Sequence, residues 1–240
     1  MKKLVILFAL LISAITASAQ LNVQFHYDAG RAFYGSELSN RPLWTATIEN
    51  FKADKWGSTY FFVDGNFSEN SMHSVYGEFA RELRFWKAPI AIHLEYNGGL
   101  SGKTGSYNDA YLLGVAYNWA NGDFSKTFSL QAMYKYLAKQ KVGTHHSWQL
   151  TAVWGVHFAK GLCTFSGYAD LWHDNAVNGS LVLSSEPQFW FNFAPLSWVD
   201  DDCKLSVSTE VEICNNLVWP SDGINNRFYV IPTLAAKWTF

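Results

Sequence analysis

The chain has 240 residues, enough for one sizeable domain, and a formal net charge of −2. Charged residues make up only 16% of it, against 49% hydrophobic and 17% aromatic residues. A soluble domain usually carries about 25% charged residues. The near-neutral balance and the absence of a basic stripe exclude nucleic acid as a partner.

Residues 1–19 have the pattern of a signal peptide. Lys2 and Lys3 form a short positive start, and an apolar stretch over 4–15 follows. Ala17-Ser18-Ala19 is a small-residue cleavage signal, which predicts a mature chain that starts at Gln20. A retained anchor is the alternative, but a helix needs ~20 apolar residues to span a bilayer. Residues 20–240 are therefore predicted to form a single domain in an exported protein.

Beyond Gln20 apolar and polar residues alternate with a period of two, and turn residues interrupt the pattern. Twelve strands are predicted, at 21–28, 43–53, 57–66, 73–86, 89–99, 107–119, 127–138, 144–158, 161–172, 181–193, 203–216 and 227–240. Several reach the ~9–11 residues of a tilted membrane-spanning strand. An even number suits a closed single-chain barrel, in which no backbone group is left unpaired in lipid. The predicted fold class is therefore all-β, a closed antiparallel transmembrane β-barrel of about 12 strands.

The last strand and the connections indicate the bacterial outer membrane. The final strand carries apolar residues at alternate positions and ends on Phe240, which is typical of the last strand of outer-membrane barrels. Short connections such as 54–56 alternate with longer polar ones such as 29–42 and 217–226, the usual arrangement of inner turns and outer loops. Segments 120–126 and 194–202 are long for inner turns. Membrane lipid and the barrel-assembly machinery are the expected partners.

The alternation also assigns side chains to the two faces of the barrel. The predicted lipid face includes Phe61, Val63, Leu94, Leu113, Val115, Leu130, Leu150, Phe189, Phe191, Val207 and Val211. The predicted lumen face carries Asp28, Glu49, Asp64, Glu78, Glu82, Glu95, Asp170, Glu186, Glu210 and Glu212, against the basic Arg84, Lys135, Arg227 and Lys237. Arg81 falls on the lipid face, which predicts a bulge or a shifted register near it. Acidic rings in a narrow channel attract cations and repel anions.

Four short motifs resemble the nucleoside-specific channel (Tsx-like) family of outer-membrane proteins. They are Lys55-Trp56-Gly57, Tyr60-Phe61-Phe62-Val63-Asp64, Tyr76-Gly77-Glu78-Phe79 and Ser185-Glu186-Pro187-Gln188-Phe189-Trp190-Phe191-Asn192. The resemblance implies a monomeric twelve-strand barrel that passes nucleosides by diffusion. The family tends toward Ser-Pro-Arg after the third motif, where this chain has Ala80-Arg81-Glu82. This departure indicates a separate branch of the family, in which the lumen chemistry beside Glu78 differs and the solute is either a nucleoside or another small molecule.

The predicted pore lining combines aromatic and polar side chains. It consists of Tyr60, Phe62, Asp64, Glu78, Arg84, Tyr168, Trp172, Glu186, Gln188, Trp190 and Asn192. Aromatic faces stack on nucleobases, and polar groups bond ribose hydroxyls and base edges. The predicted function is an outer-membrane diffusion channel for small polar solutes, nucleosides in particular.

Two other functions fit the same fold. A structural or adhesion barrel with a plugged lumen is the first. An outer-membrane lipid hydrolase is the second, because His145 and Ser147 share one strand face and an imidazole can activate a hydroxyl. However, their predicted face is the lumen, whereas a lipase opens to lipid. The protein is therefore not expected to be an enzyme. No metal or cofactor motif is found, and Cys163, Cys203 and Cys214 allow at most one disulfide.

Overall fold

A computed structural model describes residues 20–68, 71–102, 105–106, 109–138, 144–174, 181–200, 202–224 and 226–240. The predicted signal peptide, 1–19, lies outside the described residues. The strands are β1 (Gln20–Asp28), β2 (Trp44–Asp54), β3 (Gly57–Phe67), β4 (Met72–Leu83), β5 (Ile90–Ser101), β6 (Gly105–Ser106), β7 (Ala110–Ala120), β8 (Lys126–Leu137), β9 (His146–Phe158), β10 (Cys163–His173), β11 (Leu181–Ser185), β12 (Gln188–Asn192), β13 (Leu205–Asn215) and β14 (Phe228–Thr239). The helices are α1 (Gly30–Tyr34) and the 3₁₀ turns η1 (Gly35–Leu38) and η2 (Ala159–Gly161). In these ranges no helix has both the length and the hydropathy to cross a membrane.

The strands form one antiparallel sheet that closes on itself. Each long strand pairs with its neighbours in sequence, and β1 pairs with β14 from Asn22–Thr239 to Asp28–Thr233. The two-residue β6 only extends the edge of β5, and β11 and β12 together occupy one place between β10 and β13. The result is a closed twelve-strand barrel, which confirms the predicted fold class.

The predicted strand over 181–193 is interrupted at Glu186 and Pro187. Proline has no backbone N–H, so one ladder hydrogen bond is lost there. The register is nevertheless continuous, because Ser185 pairs with Ala169 and Gln188 with Ser166. The facing residue is Gly167, with φ of +154°, where a Cβ would approach the Glu186 carbonyl oxygen to 2.4 Å. Glycine therefore permits the close approach of the two strands at this break.

An apolar belt covers the outside of the barrel. Lipid-face residues such as Leu113 and Leu150 are exposed, while the alternate residues Leu112 and Gln149 are buried. Exposed tryptophans flank the belt, with Trp44 and Trp148 towards one end and Trp119 and Trp238 towards the other, by their places in the strands. A continuous exposed apolar surface with aromatic rims is the form of a membrane-spanning barrel.

Connections at the two ends of the barrel differ in length. The chain reverses through 55–56, 84–89, 121–125 and 159–162 at the end that holds residue 20, and through 29–43 and 216–227 at the other. The segment 193–204 lies at the end that holds residue 20, yet it is as long as the outer loop 216–227. This long inner connection is predicted from the sequence. The connection between β3 and β4 at the other end, residues 68–71, is short, so connection length separates the two ends only in part.

Two predictions about arginines near β4 are wrong. Pairing of β4 with β5 ends at Leu83–Ile92, and the chain then turns through 84–89, so Arg84 is exposed in a turn and does not line the lumen. The bulge predicted near Arg81 is absent from the described pairing, where the β3–β4 register shifts only between Asn66 and Phe67. Arg81 instead faces outward and donates two hydrogen bonds to the Asp54 carboxylate, at 2.7 and 3.0 Å.

Candidate functional site: the barrel lumen

The barrel interior brings together most of the predicted pore-lining residues. Those on the lumen side of β3, β4, β10 and β12, with Glu186 between β11 and β12, are Tyr60, Phe62, Asp64, Glu78, Tyr168, Trp172, Glu186, Gln188, Trp190 and Asn192. All of these except Trp190 are half-buried, so part of each residue remains accessible. Many lumen-side residues of β1, β13 and β14 are buried instead. The accessible space therefore lies along β3, β4 and β10.

A row of aromatic rings forms one wall of this space. The ring centroids of Tyr60 and Phe62 are 6.1 Å apart, and those of Phe62 and Tyr76 are 6.0 Å apart. The Tyr60 hydroxyl donates to Glu49 at 3.2 Å, and the Tyr76 hydroxyl donates to Glu78 at 2.7 Å. These bonds fix the rings, so that aromatic faces and carboxylates stand side by side on one wall.

The opposite wall carries the same kinds of group. In a barrel of twelve places β10 lies across from β3. Tyr168 shares a hydrogen bond of 3.2 Å with Ser184, and Asp170 accepts from Thr151 at 2.5 Å. Aromatic and carboxyl groups therefore line both of the facing walls.

Trp190 points into the barrel as predicted, but its ring is covered. It is 1% exposed, with the Lys237 ammonium 3.8 Å from the ring centroid and His26 against its edge. Its indole N–H donates to Gln188 at 2.9 Å. Trp190 is therefore part of the packed wall, and a solute in the lumen cannot stack on it.

Acidic groups outnumber basic groups on the described lumen face. The lysines there are already engaged: Lys135 lies 4.4 Å from the Trp172 ring centroid and donates to Gln149 at 2.7 Å, and Lys237 covers Trp190. The carboxylates of the two walls are Asp64, Glu78, Asp170 and Glu186. Carboxyl groups therefore outnumber basic groups along the described lumen lining, as the alternation predicts.

The first outer loop, 29–43, folds into the mouth of the barrel, which the sequence analysis missed. Leu38 is fully buried against the lumen-side residues Cys214, Tyr229 and Ile231. Leu38 stands in a short polar stretch with no periodic pattern, so no signal in the sequence identifies it. Inward folding of this loop narrows the outer entrance.

Arg227, predicted on the lumen face, instead joins this loop to the last outer loop. It precedes β14 and contacts Glu37 and Asp222, both at 2.7 Å. Tyr229 and Arg227 donate hydrogen bonds to the Glu37 carboxylate, and these bonds hold the pKa of Glu37 below its ordinary value. The prediction that Arg227 lines the lumen is therefore wrong.

His145 and Ser147 make their hydrogen bonds with the backbone. His145 Nδ1 bonds the Leu137 carbonyl at 2.6 Å, and the Ser147 hydroxyl donates to the His173 carbonyl. In the described part of the chain these two side chains are not hydrogen-bonded to each other. Cys163, Cys203 and Cys214 are free thiols. No group of three or more His, Cys, Asp or Glu residues in the described ranges has the arrangement of a metal site.

A closed twelve-strand barrel with an apolar belt outside and polar groups inside is an outer-membrane-type β-barrel. The chain belongs to the family described as Domain of unknown function (DUF5020), which matches residues 19–240. No curated protein matches the sequence.

The solved structure of NanC porin shares the architecture at low sequence identity, and two further matches are weaker. NanC porin has 12% identity and a TM-score of 0.60, with 92% of this chain and 100% of that chain covered. KdgM porin has 10% identity and a TM-score of 0.49, with coverages of 92% and 99%. Omp33 of Acinetobacter baumannii has 11% identity and a TM-score of 0.42, with coverages of 92% and 97%. At these identities the likeness to NanC porin establishes the fold alone.

Proposed function

We propose that the protein is an outer-membrane diffusion channel for small polar solutes, exported by a signal peptide over residues 1–19. The observation that carries this proposal is the accessible, polar and aromatic space between β3–β4 and β10 inside a membrane-type barrel. Its proposed partners are membrane lipid and the barrel-assembly machinery, and in this proposal the barrel acts as a monomer.

Nucleosides are the solute class that the lining favours. They are flat, neutral and polar, and they need aromatic faces together with hydrogen-bonding groups. Tyr60, Phe62 and Tyr76 supply the faces, and Asp64 and Glu78 supply acceptors beside them. Stacking is worth about 1–3 kcal/mol per base in single-strand binding proteins. Two or three modest contacts of this kind hold a solute weakly enough to let it leave again.

Liposome swelling with size-matched solutes tests the nucleoside assignment. Nucleosides should enter faster than sugars of similar size, and their uptake should saturate at high concentration. Tyr60→Ala should reduce the difference, whereas Tyr117→Ala, on the exposed outer face, should leave it unchanged. Equal rates for nucleosides and sugars would overturn the nucleoside assignment and leave a general small-solute pore.

A structural or adhesion barrel with a closed lumen is the second candidate. The inward fold of loop 29–43, with Leu38 fully buried in the mouth, favours it. The two candidates differ in whether ions and solutes cross the membrane.

A further inference from the structure

Arg41 from the first outer loop lies inside the outer mouth between two lumen carboxylates. Its Nε donates to Asp28 at 2.6 Å, and its Nη2 donates to Glu212. The three side chains are 17%, 11% and 9% exposed, respectively. Asp28 ends β1 and Glu212 is on β13, on either side of β14. The guanidinium therefore links β1 to β13, the two strands that flank β14, on the lumen side.

The loop holds Arg41 in this place by several independent contacts. Arg31 Nε donates to the Arg41 carbonyl at 2.6 Å, and the Arg41 amide donates to the Leu38 carbonyl at 3.0 Å. Gly30 packs directly beneath, where a Cβ would lie 2.8 Å from Asp28 Oδ1 and 3.0 Å from Arg41 Cδ. The Gly30 amide also donates to Asp28 at 2.7 Å. The position of the guanidinium is thus fixed by the loop backbone as well as by the ion pairs.

The charge of Arg41 matters because the surrounding lining is acidic. Glu210 lies on the lumen side of β13 one step below Glu212, and Glu186 faces the same interior. The guanidinium stays protonated at every physiological pH. It therefore compensates carboxylate charge at the entrance, where a solute first meets the field of the lining.

We propose that Arg41 is a selectivity-determining residue of the outer mouth. By compensating Asp28 and Glu212, it limits the cation preference that the acidic lining alone would create, and it lets neutral solutes enter in competition with cations. This inference rests on the proposed channel function. Removing Arg41 leaves two carboxylates uncompensated at the entrance, so the channel becomes more cation-selective.

The test is the reversal potential in a salt gradient for single channels in a planar bilayer. Arg41→Gln should raise the cation-to-anion permeability ratio about threefold, because one full charge is removed from the entrance. Arg41→Lys keeps the charge and should stay near the parent ratio. Arg81→Gln removes an arginine from an ion pair on the outer face and should also leave the ratio unchanged.

A second pair of variants separates the charge from the fold. The double variant, Asp28→Asn with Glu212→Gln, retains the Arg41 charge without its two partners. The triple variant adds Arg41→Gln and carries no charge at the three positions, so it leaves no buried ion unpaired. The triple variant should be more cation-selective than the double. Equal ratios in this pair, or no change for a folded Arg41→Gln channel, would overturn the role of Arg41. A folded parent that carries no current would overturn the channel function itself, together with this role.

Discussion

Replacement of Leu38 by alanine should release the first outer loop from the barrel mouth. Leu38 is fully buried against Cys214, Tyr229 and Ile231. Truncating a buried leucine to alanine costs about 2–5 kcal/mol where the cavity does not collapse. At ~1.4 kcal/mol per factor of ten, even the lower figure raises the open population of the loop about thirtyfold. The barrel itself should stay folded, because its ladder hydrogen bonds do not involve this side chain.

Amide hydrogen exchange of the detergent-solubilised protein measures this opening directly. Three amides donate to carbonyls within the loop, those of Ala32, Phe33 and Arg41. They should exchange about thirtyfold faster in Leu38→Ala, in line with the larger open population. The matched control is Leu150→Ala, which truncates an exposed leucine on the lipid face. The strand amides should be unaffected in both variants. Unchanged exchange over 29–43 in Leu38→Ala would refute the view that this side chain holds the loop in the mouth.

Three further predictions concern the lining, the closure of the barrel and the outer loops. Glu78→Gln and Glu186→Gln should each weaken the cation preference of the channel. A carboxylate about 5 Å from a passing ion contributes about 0.8 kcal/mol in water, which changes the local cation concentration by a factor of about four. An anion preference in the parent channel would show that the acidic side chains do not set the field. Phe240→Ser or deletion of Phe240 should lower the yield of heat-modifiable barrel. The Phe240 amide donates to the Leu21 carbonyl at 2.9 Å where the barrel closes, and the Phe240 ring is 70% exposed towards lipid. A normal yield would show that the terminal residue is incidental. The contact between Glu37 and Arg227, with Tyr229 and Asp222 beside it, should persist from pH 8 to pH 5 and weaken only at lower pH. A carboxylate with a lowered pKa contributes stability above its unfolded pKa of ~4.3 and loses it as the pH falls through the lower folded value. The Ser221 amide donates to the Glu37 carbonyl at 2.8 Å, so faster exchange of this amide near pH 6 would contradict the assignment.

Strand faces and barrel closure were predictable because side chains alternate strictly along a strand. Leu112 and Leu113 are neighbours in sequence, yet one is 3% and the other 54% exposed, as period-two alternation requires. The prediction erred where alternation continues past the end of pairing. Arg84 follows the lumen pattern of β4, but the turn to β5 removes it from the barrel wall. Strand ends depend on where the partner strand stops, which a single segment does not encode.

The contents of the lumen were less predictable than its walls. Alternation places Trp190 inside, but its accessibility depends on Lys237, which arrives from β14 on the far side of β13. Likewise, Leu38 and Arg41 lie in an irregular loop, and only the three-dimensional meeting of β1, β13 and β14 creates their sites. Such contacts between distant segments leave no local pattern in the sequence.

Ion conductance of the purified protein in a planar bilayer tests the central claim most directly. A twelve-strand barrel with an accessible acidic interior predicts discrete single-channel current steps and a reversal potential on the cation side in a salt gradient. Folded, heat-modifiable protein that inserts into the bilayer but carries no current would contradict the account and favour a closed structural barrel.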